Sequence, residues 1–195
     1  MPAYEFPVIS GTLPQDHGYP LFSALCAKFP SLHGRHDIQI APVRGTRVDG
    51  GNNLRMDRGS VLHIRGLKAE EALAIQELGR LVVKGKVLFL GPVRTRTLEP
   101  YSLLVSRLVI LQGAVTEPEF LMQLSEDIPE GVRVTLGRQR CLRYKGKKFL
   151  GFSVVLTGLS AEDSSRIQER GLGKFTSQCC GVFYPGTPRL NRKTS

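Results

Sequence analysis

Apolar and polar positions alternate along this chain in two rhythms, and those rhythms occur twice in the same order. Residues 3–9 are apolar-rich and stop at Ser10-Gly11, which predicts a strand. Asp16 can cap a following helix whose apolar face is Tyr19, Phe22, Leu25 and Cys26. Pro30 ends that helix, and Ser31-Leu32-His33-Gly34 turns the chain. Residues 38–43 and 61–64 read as strands on either side of a glycine- and arginine-rich loop, 44–59. Ala72, Ile75 and Leu78 fall on one side of a helix expected over 68–82, and 86–93 reads as a strand. The order is β-α-β-β-α-β.

The second half repeats it. Residues 102–112 form a Leu- and Val-rich strand. Thr116-Glu-Pro-Glu119 is a capping box with proline in the first turn, opening a helix to about Ser125. Residues 133–136 and 149–156 read as strands joined by a basic hairpin. Ser160 caps a short helix to about Glu169, and 181–184 is a last short strand. Two βαββαβ units in tandem predict an α+β protein of two ferredoxin-like, RRM-like domains, 1–97 and 98–195. That fold hosts many functions, so chemistry has to come from particular residues.

Charge narrows the partner. The chain carries 27 Lys and Arg against 17 Asp and Glu, a net +10 over 195 residues. Split at Leu98, each half is +5, so the basicity is no tail. A uniformly basic folded chain suggests a polyanion, either nucleic acid or an acidic membrane surface. No apolar run reaches membrane-spanning length. Met1-Pro-Ala-Tyr-Glu-Phe lacks the basic and apolar regions of a secretory signal. Nucleic acid in the cytoplasm is the expectation. Cys26, Cys141, Cys179 and Cys180 show no metal-ligand spacing, and His17, His33, His36 and His63 form no zinc motif. Neither a metal nor another cofactor is expected.

Three features could carry chemistry. Between Arg133 and Lys148 lie seven basic residues and no acidic one, with Arg138, Arg140, Arg143, Lys145, Lys147 and Lys148 in the hairpin. Without local carboxylates to neutralise them, phosphate is the natural counter-charge. Tyr144 and Phe149 beside them could stack on bases. The second feature is the stretch Arg170-Gly171-Leu-Gly173-Lys174-Phe175. Gly171 and Gly173 could bring the backbone close to a phosphate, with Arg170 and Lys174 supplying charge. Phe175 stands where a P-loop needs Ser or Thr, which disfavours a nucleotide-triphosphate site. The third is the pair His17 and His33, bracketing the first helix. Either can move protons near neutral pH, and either can equally be a structural hydrogen-bonding group.

Leu13-Pro-Gln-Asp-His-Gly-Tyr-Pro-Leu-Phe-Ser-Ala-Leu-Cys26, then Leu32-His33-Gly34, then the terminal glycine-rich loop, resemble the CRISPR-associated repeat-processing endoribonucleases, the Myxan-type branch in particular. The resemblance implies doubled ferredoxin-like domains and metal-independent cutting of precursor CRISPR RNA within each repeat. In that chemistry a ribose 2′-hydroxyl attacks the adjacent phosphate, leaving a 2′,3′-cyclic phosphate and a 5′-hydroxyl. It implies that His33 is catalytic, as general base or general acid, with His17 either a second proton-transfer group or a scaffold. CRISPR repeat RNA is the implied partner, with room for other subunits of an effector complex. Cys26 stands where some members have a helix tyrosine, and Cys179 stands at the third glycine of the loop pattern. The alternative is a binding module of the same fold, holding repeat or other structured RNA without cutting it.

Overall fold

A computed structural model describes residues 2–186, except 49, 51, 115 and 145, and not the side chain of Arg143. Its elements are β1 (Ala3–Pro14), α1 (Gly18–Lys28), β2 (Gln39–Ile40), β3 (Thr46–Val48), β4 (Asn53–Arg55), β5 (Val61–Arg65), α2 (Ala69–Leu78), β6 (Arg80–Val83), β7 (Lys86–Leu90), β8 (Arg94–Arg96), β9 (Leu103–Val109), α3 (Glu117–Ser125), β10 (Arg133–Tyr144), β11 (Lys147–Thr157), α4 (Ala161–Arg170) and β12 (Tyr184–Pro185). Single 3-10 turns lie at Pro30–Leu32 and Thr176–Gln178.

Both sheets carry the ferredoxin-like order. In the first, β2 pairs β5, β5 pairs β1, and β1 pairs β7, all antiparallel. In the second the order is β10-β11-β9-β12. Numbering the four strands of each unit by sequence gives 2-3-1-4 in both cases, so the protein is α+β with the predicted unit doubled. The first sheet packs Phe6, Leu62 and Ile64 against Leu21 and Leu25 of α1 and Ile75 of α2. The second packs Leu104, Val154 and Leu156 with Phe120 and Leu124 of α3 and Ile167 of α4.

Several boundaries differ from the sequence reading, each for a local reason. The helix expected over 68–82 stops at Leu78, because Gly79 takes a left-handed φ of 64° and ends it. Residues 80–83, mostly expected as the end of that helix, form β6 instead, hairpinned to β7. The loop 44–59 holds the β3–β4 hairpin, which extends β1 at Thr12–Pro14. In α1 the buried stripe is Gly18, Leu21 and Leu25. Tyr19 turns instead toward the second sheet. The residue at the start of α1 is His17, whose side chain makes no cap, rather than Asp16. The last strand begins at Tyr184, after a loop that occupies 181–183. The other helix starts follow the sequence: Thr116 N–H donates to Glu119 Oε2 at 3.0 Å, and Asp163 N–H to Ser160 Oγ at 3.0 Å.

Arg65 joins the two sheets. It is 6% exposed on β5, and its guanidinium donates to the carbonyls of Gln168 (2.6 Å) and Phe183 (2.9 Å) in the second unit. Gln39 adds a bond to the Glu169 carbonyl at 2.5 Å.

Candidate RNA-processing site

His33 follows the 3-10 turn after α1 and is exposed. Leu32 beside it is buried at 1% exposure, which anchors the turn in the first core. On the other side, Arg35 clamps the loop to α2. Its Nη1 reaches both Glu71 oxygens at 2.9 and 3.0 Å, its Nε reaches Asp37 Oδ1 at 3.0 Å, and Nη2 also donates to the Gly66 carbonyl. The side-chain bond to Asp37, the first of several contributions, pushes the guanidinium pKa above its ordinary value. The exposed imidazole is thus carried on a short loop fixed at both ends, which is what positioned proton transfer requires.

His17 is different. It is 1% exposed, its Nδ1 lies 3.0 Å from the Pro14 carbonyl, and its Nε2 accepts the Val43 N–H at 3.1 Å. That pattern requires the neutral ring with the proton on Nδ1. Burial pushes its pKa down to about 4. Of the two roles the sequence leaves open, this geometry suits the scaffold: the ring ties the end of β1 to the segment after β2.

In the basic hairpin, Arg138, Lys147 and Lys148 are exposed and Arg140 is half-buried. Lys145 and the side chain of Arg143 lie outside the described residues. Tyr144 and Phe149 are not open stacking platforms. Tyr144 meets Tyr19 of α1 edge-on at 4.8 Å between centroids, and Phe175 of the glycine loop lies 5.5 Å from Tyr144 and 4.9 Å from Phe149. These aromatics fix the hairpin to α1 and to the loop.

The loop also works differently from its expected role. The N–H groups of Leu172, Lys174, Gln178, Cys180 and Gly181 all donate to protein carbonyls, so these amides are not free for phosphate. A β-carbon on Gly171 would lie 2.7 Å from the Gly181 carbonyl, and one on Gly173 would collide with the Ile110 carbonyl. With φ of 68° and 75°, Gly171 serves the loop's packing on itself and Gly173 its packing on the segment after β9. Cys179 adopts φ 65°, the conformation glycine favours, which explains glycine at this place in the resembled pattern. Arg170 and Lys174 remain exposed, Lys174 donating to Gln112 Oε1. The loop backs onto the first turn of α1, where a β-carbon on Gly18 would strike the Gln178 carbonyl. His33 follows the other end of that 11-residue helix, roughly 16 Å of helix away.

The sequence reading missed Arg107 and Gln178. Together with Arg140, Asp16, His17 and Gly18 they line a cavity of about 210 Å³. Arg107 sits in an apolar strand and carries no local signal. A larger cavity, about 370 Å³, lies where the two sheets meet and is lined by Glu5, Arg44, His63, Arg65, Arg96 and Tyr184 among others. Its charges are largely paired: Glu5 faces Arg96 at 3.2 Å and His63 at 3.4 Å, and Arg44 covers the Tyr184 ring at 5.2 Å. Among the described residues no three His, Cys, Asp or Glu side chains converge as a metal would require. No helix among them is long and apolar enough to cross a membrane.

The family model described as Cas6 Crispr matches residues 3–188. A CRISPR-associated endonuclease Cas6 of Myxococcus xanthus (strain DK1622) is 38% identical over 183 residues, spanning 92% of this chain and 79% of the relative. Among solved structures, a Cas6-related protein from Pyrococcus furiosus superposes with a TM-score of 0.62 at 14% identity, covering 93% of this chain and 97% of that one. A RAMP protein described as binding different RNA substrates superposes with a TM-score of 0.67 at 12% identity, covering 94% and 98%. At those identities the two structures establish the shared fold.

Proposed function

This chain belongs to the Cas6 family, and we propose that it is an endoribonuclease that cuts precursor CRISPR RNA within its repeats. The observation that carries this reading is the 38% identity to a CRISPR-associated endonuclease across 92% of the chain. The charge, the exposed hairpin cations and the anchored His33 are consistent with it.

Cleavage is by the RNA's own 2′-hydroxyl. The oxygen attacks the neighbouring phosphorus, its proton passes to a base, and the P–O5′ bond breaks as the 5′-oxygen takes a proton. The products are a 2′,3′-cyclic phosphate and a 5′-hydroxyl, with no metal in any step. His33 transfers one of the two protons, worth roughly 10²–10⁴-fold in rate. Arg35 holds His33 in place through Glu71 and Asp37. His17 is a scaffold. Arg138, Arg140, Arg143, Lys145, Lys147 and Lys148 bind the phosphate backbone, joined by Arg170 and Lys174 from the loop.

A repeat-containing transcript incubated with the protein tests this. It should be cut once per repeat, and His33→Ala should bind the repeat with little change while cutting at least about a hundredfold more slowly. Normal binding without any cutting by the natural protein would leave only the binding-module alternative.

A further inference from the structure

The cavity of about 210 Å³ lies between the start of α1, β9, β10 and the glycine loop, and two of its lining residues carry unmet polar groups. On two of the residues that line it, Arg140 Nε and Gln178 Oε1 are buried without a hydrogen-bond partner, the Gln178 side chain being 7% exposed. Arg107 lines the same space, and neither arginine forms an ion pair among the described residues. Burial, then the proximity of Arg107, Arg138 and Arg47, lowers the Arg140 pKa, a sign of like charge crowded together. Asp16, exposed at the mouth, is the one carboxylate in the lining. His17 also lines the cavity, but both its ring nitrogens are already engaged.

The two orphaned groups ask for opposite chemistry. Guanidinium N–H groups need an anion, whereas a buried amide oxygen needs a donor. A free carboxylate answers only the first. A DNA strand also answers only the first at its backbone. A ribonucleotide answers both, because its phosphate accepts and its 2′-hydroxyl donates.

We propose that this cavity seats one ribonucleotide of the bound RNA away from the cut, its phosphate against Arg107 and Arg140 and its 2′-hydroxyl donating to Gln178 Oε1. The cavity would then favour RNA over DNA in binding, separately from the 2′-hydroxyl that the cut itself uses. This rests on the RNA-processing reading above and adds a recognition subsite to it.

The experiment is a 2′-deoxy scan of binding. Repeat RNAs are made uncuttable by one 2′-deoxy residue at the cleavage site, then given a second deoxy residue at each other position in turn. Dissociation constants are measured by fluorescence anisotropy for the natural protein, Gln178→Leu and Arg107→Gln. One distal position should weaken binding by the natural protein roughly three- to tenfold, the scale of one hydrogen bond. Gln178→Leu should bind that RNA and its all-ribose counterpart equally. Arg107→Gln should keep the ribose penalty and reduce the salt slope by about 0.7, one single-strand phosphate. The proposal fails if no distal position is sensitive, or if Gln178→Leu keeps the penalty. Should Gln178→Leu not fold, an unchanged salt slope in Arg107→Gln overturns it. The scan is repeated on an unrelated single-stranded RNA. Equal affinity for repeat and unrelated strands counts against repeat processing, while the deoxy penalty on either strand still decides the cavity.

Discussion

Arg65 of β5 and Phe183, 118 residues later, are joined by a buried hydrogen bond from Nη2 to the main-chain carbonyl at 2.9 Å. The same guanidinium bonds the Gln168 carbonyl at 2.6 Å and Gln39 Oε1 at 3.3 Å, with no carboxylate in the set. A buried cation held by carbonyls alone is costly to desolvate, and burial lowers the Arg65 pKa to about 10. Its use here is geometric: one side chain satisfies two carbonyls that close the second unit and fixes them against the first sheet.

Arg65→Met keeps the aliphatic stem but leaves those carbonyls unpaired. Chemical unfolding should show a loss of about 2–4 kcal/mol, with Arg65→Lys recovering only part of it. A change within about 0.5 kcal/mol would mean the bonds contribute nothing net.

Stability should depend on His17 in acid. Its folded-state pKa, about 4, lies below the 6.5 of the free side chain, so the unfolded chain binds the proton more readily. The contribution is fully present above pH 6.5 and is lost as pH falls toward 4, amounting to about 3 kcal/mol. His63, lowered chiefly by burial, adds in the same direction. Unfolding free energies measured at pH 7 and pH 4.5 should differ far less in His17→Gln than in the natural protein. An equal acid loss in the variant rules His17 out as its source.

The glycine loop separates packing from strain. Gly173→Val puts a branched side chain at a φ of 75° against the Ile110 carbonyl, and should destabilise the fold by about 2–4 kcal/mol. Cys179→Gly removes a side chain from a left-handed position and should be neutral or stabilising by up to about 1 kcal/mol. Thermal melts that rank the two variants in the opposite order would contradict this geometry.

The cleavage mechanism predicts indifference to chelation. Excess EDTA should leave the rate unchanged, while one 2′-deoxy residue immediately before the cut should stop cleavage with binding nearly intact. Loss of activity in EDTA would require a metal-dependent route instead.

Charge on the hairpin should appear in the salt dependence. Reversing Arg138, Lys147 and Lys148 together should flatten the slope of log affinity against log salt by about 2, at 0.7 for each single-strand phosphate released. An unchanged slope would move the RNA surface elsewhere.

Much of this protein is legible in local sequence because local physics decides it. Helix α3 begins at its capping box, α4 at Ser160, and both sheets follow the doubled strand order, since periodicity and caps act within a few residues. His33 is singled out by a short motif that resembles a known family, and the net charge is a plain count. Other features exist only once the chain has folded. Nothing near Arg107 in sequence announces that it will share a cavity with Arg140 and Gln178, because their approach depends on how β9, β10 and the loop meet α1. Tyr144 and Phe149 read as free stacking groups until Tyr19 and Phe175 arrive from distant segments to cover them. The glycines were visible as flexible points, but only the Ile110 and Gly181 carbonyls show that close packing requires them. His17 and His33 are the same residue type sixteen positions apart. Burial between two backbone partners holds one neutral, and a clamped surface loop leaves the other exposed, because environment rather than identity sets what a histidine can do.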